Sequence, residues 1–159
     1  MTIRILIMGL PGSGKTTLAH NLKIQLMLAD KEIGWLNADE IRKQYNDWDF
    51  TIEGRIRQSK RMRTLADESH KQYTICDFVA PLVEMRDIFN PDWTIWMDTI
   101  RQGRYADTNA MFVEPETYDF RIIEQNAEHW SKFIGDFILE YPARTLLENS
   151  NTAYMTIPR

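Results

Sequence analysis

Only one cysteine, Cys76, occurs in 159 residues, so no disulfide can close within the chain and a disulfide-stapled secreted scaffold is excluded. Long apolar runs are missing too: the run Ile5–Met8 is far shorter than the ~20 residues that a bilayer crossing takes. It passes directly into a glycine-bearing turn rather than a small-residue cleavage site, so it does not read as a secretory leader, and a cytoplasmic location away from membranes is expected. Histidine is scarce. His20, His70 and His129 keep no ligand spacing among themselves or with Cys76, which argues against a structural zinc site and leaves Cys76 as a small core residue. Positive charge is in deficit as well: a net charge of −4 speaks against bulk nucleic-acid binding, though not against a local cationic pocket. What is present is apolar material for a core. With 43% hydrophobic residues in 18.8 kDa, that core belongs to one domain.

Periodicity divides the chain into alternating strands and helices. Ile3–Met8 reads as a buried strand; Leu18, Ala19, Leu22 and Leu26 then recur at helical spacing from Thr16 to about Leu28. Strands follow at Ile33–Leu36, Tyr73–Val79, Trp93–Met97 and Phe120–Ile123. Helices are expected at Asp39–Gln44, Arg55–Lys71, Leu82–Ile88 and Ala127–Glu140. The stretch 98–118 has no sustained period and is long for a plain connection, which marks it as a lid or binding loop. The expected fold is therefore α/β: a three-layer arrangement of about five mainly parallel strands with helices on both faces and ligands at the carboxyl ends of the strands. The domain is expected over 1–141, with a tail at 142–159 expected to be loosely packed or disordered.

Between the first strand and the first helix stands Gly9-Leu10-Pro11-Gly12-Ser13-Gly14-Lys15-Thr16, which matches G-x-x-x-x-G-K-[ST] in the place where that pattern works. Glycines let the backbone curl so that successive N–H groups meet phosphate oxygens, and the helix start adds its positive end. ATP with Mg²⁺ is the expected ligand, held by Gly9, Gly12, Ser13, Gly14, Lys15, Thr16 and Thr17. Lys15 would reach the β and γ phosphates and the Thr16 hydroxyl the metal. The base-reading N-K-x-D pattern of GTPases is missing. Instead Asp39 follows the second strand, where a carboxylate can take an acceptor hydroxyl proton or hold a Mg²⁺-bound water; as structure alone, it would complement a helix dipole. Asp77, inside the third strand, is either a second acid for Mg²⁺ or a hydrogen-bonded structural Asp. Arg101 and Arg104 open the aperiodic segment. They are candidates for guanidinium groups on the transferring phosphoryl group, with plain surface arginines as the alternative.

Further motifs narrow the class. Asp47-Trp48-Asp49-Phe50-Thr51-Ile52-Glu53-Gly54-Arg55, Phe78-Val79-Ala80-Pro81 followed by Arg86-Asp87, and Asn37-Ala38-Asp39 with Arg42 resemble the D-L-G-F-S-x-E-D-R, F-I-S-P…R-D and D-G-D segments of the adenylylsulphate kinase (APS kinase) family of P-loop kinases. The resemblance runs over roughly Ile3–Phe89 and weakly to about Leu139. It implies transfer of the ATP γ-phosphate to the 3′-hydroxyl of adenosine 5′-phosphosulfate. It also implies Asp39 as base or Mg²⁺-water ligand, Arg42 and Arg55 on substrate phosphate or sulfate, Phe50 stacked on the acceptor adenine, and Gln58, Arg61, Pro81 and Phe112 around the acceptor. The departures are Asn37 for the first Asp of D-G-D, Gly54 for the Asp of D-R, Ala80 for Ser, Gln58 for an asparagine, and a shortened lid. Independently of any family, Arg55, Arg57, Lys60, Arg61 and Arg63 form a basic run with no acid between Gly54 and Ala66, which would attract a small anionic substrate or else form a solvated helix face. A different hydroxyl acceptor (nucleoside, nucleotide or 5′-hydroxyl polynucleotide) and a non-catalytic nucleotide-binding module remain open. So does the oligomeric state, a homodimer included.

Overall fold

A computed structural model describes residues 1–141; the expected tail at 142–159 lies outside the described residues. Five strands, β1 (Ile3–Met8), β2 (Ile33–Asn37), β3 (Tyr73–Asp77), β4 (Trp93–Met97) and β5 (Phe120–Ile122), form one sheet in the order β2-β3-β1-β4-β5. Every neighbouring pair is parallel. The helices are α1 (Lys15–Leu28), α2 (Ala38–Tyr45), α3 (Ile52–Asp67), α4 (Val83–Phe89), α5 (Ala106–Met111) and α6 (Ala127–Glu140).

Alternation along β1 feeds two cores. Ile5 and Ile7 face one side with Leu18, Leu22 and Leu26 of α1, Trp93 and Ile95 of β4, and Ile134 and Ile138 of α6. Leu6 and Met8 face the other with Met62 and Ala66 of α3, Cys76 and Phe89. Burial on both sides explains why these strands read as continuous apolar runs. The one charged residue of β1, Arg4, is 7% exposed and is satisfied by the carbonyl of Asn90 at 2.7 and 3.1 Å and by Asp67 at 3.0 Å.

The crossovers set where a ligand can go. The β1–β2 connection, carrying α1, passes to one side of β1, and the β3–β4 connection, carrying α4, passes to the other. The carboxyl ends of β1 and β3 therefore flank a crevice, the switch point of a doubly wound sheet.

The largest departures from the sequence expectation lie in α3 and in the 98–118 segment, while the other elements shift by at most two residues at their ends. The helix expected from Arg55 to Lys71 runs from Ile52 to Asp67. Thr51 caps its start by accepting from the Gly54 N–H at 3.1 Å, and Asp49 in turn holds the Thr51 hydroxyl at 2.6 Å. Its end comes early because His70 takes a left-handed φ of 56° and Ser69 turns its hydroxyl to Thr74 at 2.8 Å. The segment without period, 98–118, carries the short helix α5, whose six residues span too few turns for a repeat to register.

Candidate active site

The turn between β1 and α1 is made by glycines in backbone conformations that other residues rarely adopt. Gly9, Gly12 and Gly14 have φ of 151°, 88° and 100°. At Gly9 a Cβ would also lie 2.6 Å from the Met97 carbonyl oxygen, so the loop presses backbone to backbone against β4. α1 starts with no side-chain cap and no acid in its first turn, which leaves its first N–H groups free of a side-chain acceptor. Ser13 Oγ is buried without a hydrogen-bond partner. Lys15 donates to the Leu10 carbonyl at 3.0 Å. Burial pushes its amine down to about 8, with Asp77 and Asp39 opposing that shift and Arg104 adding to it. Curled glycine backbone, an uncapped helix start and a desolvated ammonium together fit a polyphosphate.

Beside Lys15, Asp77 ends β3 directly across from Asn37 on β2. One carboxylate oxygen accepts from the Thr16 hydroxyl at 3.2 Å and from the Asn37 amide at 3.0 Å, and the other from the Trp35 indole N–H at 2.6 Å. Burial still pushes its carboxyl up to about 6, against these hydrogen bonds and Lys15. Among the described residues no cluster of three or more His, Cys, Asp or Glu could hold a metal alone. A divalent ion here would take hard oxygen ligands from Thr16, Asp77 or Asp39 and otherwise from phosphate and water, which is how Mg²⁺ is usually held.

The raised Asp77 value has a stability consequence with a definite sign. Between pH 4 and 6 the folded protein holds a proton on Asp77 that the unfolded chain has released, so this residue's contribution to stability falls as pH rises through that window. The full difference is up to about 3 kcal/mol. Urea unfolding of the ligand-free protein at pH 4.5 and 7 is expected to show this loss in wild type and not in Asp77→Asn. Identical pH slopes for the two proteins would contradict it.

Asn37 both donates to Asp77 and caps α2, its Oδ1 accepting from the Glu40 N–H at 3.1 Å. An aspartate at this position could cap but could not donate, and would set two carboxylates side by side. Asp39 projects from the first turn of α2, exposed at the rim of a cleft of about 760 Å³. Its lining includes Gly12, Gly14, Lys15, Thr16, Thr17, Asp39, Phe50, Arg55, Asp77 and Arg104 among the residues expected from the sequence.

Other expected residues sit behind this wall. Arg42 is 4% exposed; its guanidinium lies 4.3 Å from the centre of the Phe50 ring and donates to the carbonyls of Asp47 at 2.9 Å and Asp49 at 3.1 Å, holding the 46–51 loop. Arg61 pairs with Asp47 at 3.0 Å and with Gln58 at 2.7 Å, and Gln58 donates to the Ala38 carbonyl at 3.1 Å. Pro81 accepts from the Val113 N–H at 2.8 Å, and Phe112 packs into the second core. Arg101 pairs with Asp98 at 3.2 Å and borders a separate small cavity, so the two expected lid arginines part company: Arg104 lines the main cleft and Arg101 does not.

The basic run of α3 is largely neutralised by acids that lie outside its own sequence window. Arg57 and Arg61 share Asp47, whose carboxyl is held well below the usual range, first by its hydrogen bond from Arg57. Arg63 pairs with Asp67 at 2.9 Å. Of the five cations only Arg55 lines the cleft, donating to the Phe50 carbonyl at 2.9 Å and to the Thr108 hydroxyl at 2.9 Å. Trp48, Tyr105, Asp107, Thr108 and Gln125 also line it, none of them a site residue expected from the sequence. Trp48 belongs to the Asp47–Arg55 motif, whereas Gln125, which donates to the Gly12 carbonyl at 3.2 Å, carries no sequence signal.

The fold and loop define a P-loop kinase architecture. The model of the adenylylsulphate kinase family matches residues 1–92, more than half of the chain, and the chain belongs to that family. Comparison with curated protein sequences finds no match. Among solved structures, an APS kinase of Mycobacterium tuberculosis in complex with AMPPNP and APS superposes with a TM-score of 0.72 at 19% identity, over 87% of this chain and 98% of that one. A gluconokinase of Sinorhizobium meliloti gives 0.60 at 13% identity, over 93% and 97% of the two chains. A shikimate kinase of Acinetobacter baumannii in complex with shikimate gives 0.53 at 21%, over 89% and 95%. At these identities the structures share the fold. No helix among the described residues is long and apolar enough to cross a membrane.

Proposed function

We propose that the protein transfers the γ-phosphoryl group of ATP to a hydroxyl of a small acceptor bearing an aromatic ring, with the 3′-hydroxyl of adenosine 5′-phosphosulfate as the acceptor its family favours. The observation that carries this reading is the cleft itself, which Gly12, Gly14, Lys15, Asp39, Phe50 and Arg55 line together. The Mycobacterium tuberculosis enzyme, solved with AMPPNP and APS, supports the same pair of ligands here.

In this reading the loop N–H groups and Lys15 hold the β and γ phosphates. Mg²⁺, held by Thr16 with Asp77 or Asp39, would neutralise phosphate charge. Asp39 takes the acceptor proton as the acceptor oxygen bonds to the γ phosphorus. The bond from that phosphorus to the β–γ bridging oxygen breaks, and ADP leaves with the electron pair. The 98–118 segment serves as a lid that excludes water, with Arg104 reaching the transferring group. Phe50, its ring exposed to the cleft, offers a stacking face to a base.

A second reading has one observation behind it. Arg42, which the resemblance puts on substrate phosphate or sulfate, and Arg61, which it puts around the acceptor, are occupied by the carbonyls of the 46–51 loop and by Asp47. Arg55 is the one of these three arginines that lines the cleft, which matches an uncharged nucleoside better than a doubly charged phosphosulfate. ADP release measured over adenosine 5′-phosphosulfate, adenosine, AMP and a 5′-hydroxyl oligonucleotide decides between them. Turnover with the phosphosulfate at least ~10-fold above the others is the expected result, and preference for adenosine moves the assignment to the second reading.

A further inference from the structure

The clasp between α5 and the turn before it bears on the donor end of the cleft. Asn109, in the second turn of α5, uses both halves of its amide on one residue: Oδ1 accepts from the Gly103 N–H at 2.7 Å, and Nδ2 donates to the Gly103 carbonyl at 3.0 Å. The side chain thus treats Gly103 as a neighbouring strand would, and fixes the peptide that leads into Arg104. The opposite side of Gly103 is fixed too. A Cβ there would lie 2.9 Å from the Pro11 carbonyl oxygen, so the turn rests directly on the phosphate-binding loop. Upstream, the Thr99 hydroxyl donates to the Ser13 carbonyl at 2.6 Å. Arg104 follows this pinned residue, lines the cleft, and lies near enough to Lys15 for its charge to act on the ammonium.

We infer that Asn109 is a positioning residue: by clasping Gly103 against the Pro11 end of the phosphate loop, it sets the backbone from which Arg104 reaches the transferring phosphoryl group. This rests on the role given to Arg104 above. An exposed arginine on a free loop would have to be ordered for every turnover, whereas one on a clasped turn starts near its working place. Arg101, two residues before Gly103, has no such clasp and points instead to Asp98.

The test is a cycle of Asn109→Ala, Arg104→Ala and the double variant, with Asn109→Asp as the conservative partner, since a carboxylate keeps the acceptor for Gly103 N–H and loses the donor. Asn109→Ala is expected to lower kcat for ADP release by ~10-fold or more, since small misplacements of such groups are costly. It should leave KM for ATP within about threefold, because the loop and Lys15 still bind the phosphates. In the Arg104→Ala background it should add little, and Asn109→Asp should fall between. Affinity for ADP with aluminium fluoride, a mimic of the transferring group, should drop with kcat while AMPPNP affinity holds. Hydrogen exchange at the Gly103 amide, which needs no acceptor, should speed up in Asn109→Ala. A slow Arg104→Ala with a silent or fully additive Asn109→Ala overturns the clasp's role alone, as does an unchanged Gly103 amide. A silent Arg104→Ala overturns the reading of Arg104 and the inference with it.

Discussion

Replacing Lys15 with methionine is expected to lower phosphoryl transfer by about 10²–10³-fold, the loss typical of removing one preorganised group that stabilises developing charge. The same change is expected to raise the stability of the ligand-free protein. Lys15 carries its charge at a cost, because burial drives its amine from 10.5 to about 8. The folded state therefore holds fewer protons than the unfolded chain between pH 8 and 10.5, so its contribution to stability improves as pH rises through that window and is at its worst below pH 8. A neutral side chain escapes that cost. Allowing for solvent around a partly exposed head group and for the lost hydrogen bond to Leu10, the net gain at pH 7 is about 1–2 kcal/mol. That corresponds to a rise of a few degrees in Tm for a domain of this size. A variant that is both inactive and less stable would mean that Lys15 is part of the scaffold rather than a group held ready for phosphate.

Asp39→Asn is expected to lower acceptor-dependent ADP release by about 10²–10⁴-fold, the range over which positioned acid–base groups act. Amide replaces carboxylate with little change of shape, so ATP affinity should hold and the loss should fall on kcat. The competing account is that Asp39 merely complements the dipole of α2, alongside Glu40 in the same first turn. On that account Asp39→Asn would cost about 0.3–1 kcal/mol of stability and leave turnover alone. Titrating both quantities on one preparation separates the two, and full turnover with reduced stability would remove Asp39 from the chemistry.

Much of this was legible in the sequence, and for physical reasons. β1, α1 and the loop between them could be read because their side chains answer to one local rule each: apolar alternation, a helical stripe, and glycines that the turn demands. The strand order was not written in any local pattern, since parallel strands are paired by crossovers rather than by turns. The basic run of α3 shows the limit most clearly. In the sequence, Arg57, Arg61 and Arg63 have no acid among them. In the fold, Asp47 and Asp49 come from a loop that doubles back over the helix, and Asp67 from the helix's own last turn. Charge counted along a window missed the partners because they lie beyond it. Trp35 illustrates the same point with an uncharged group, its indole reaching across from β2 to Asp77 on β3.

Gly54 holds a further consequence. The family pattern has an aspartate there, yet a Cβ at this position would run into the carbonyl oxygen of Asp49, and the carboxylate of Asp49 lies close behind it. The 46–51 loop thus occupies the volume that the family's side chain would need, and Arg42 and Arg57 hold the loop in that place. A side chain introduced at Gly54 alone should therefore damage the protein rather than add a contact to the cleft. The glycine and the loop path depend on each other: residue 54 can carry a side chain only if the loop is rerouted.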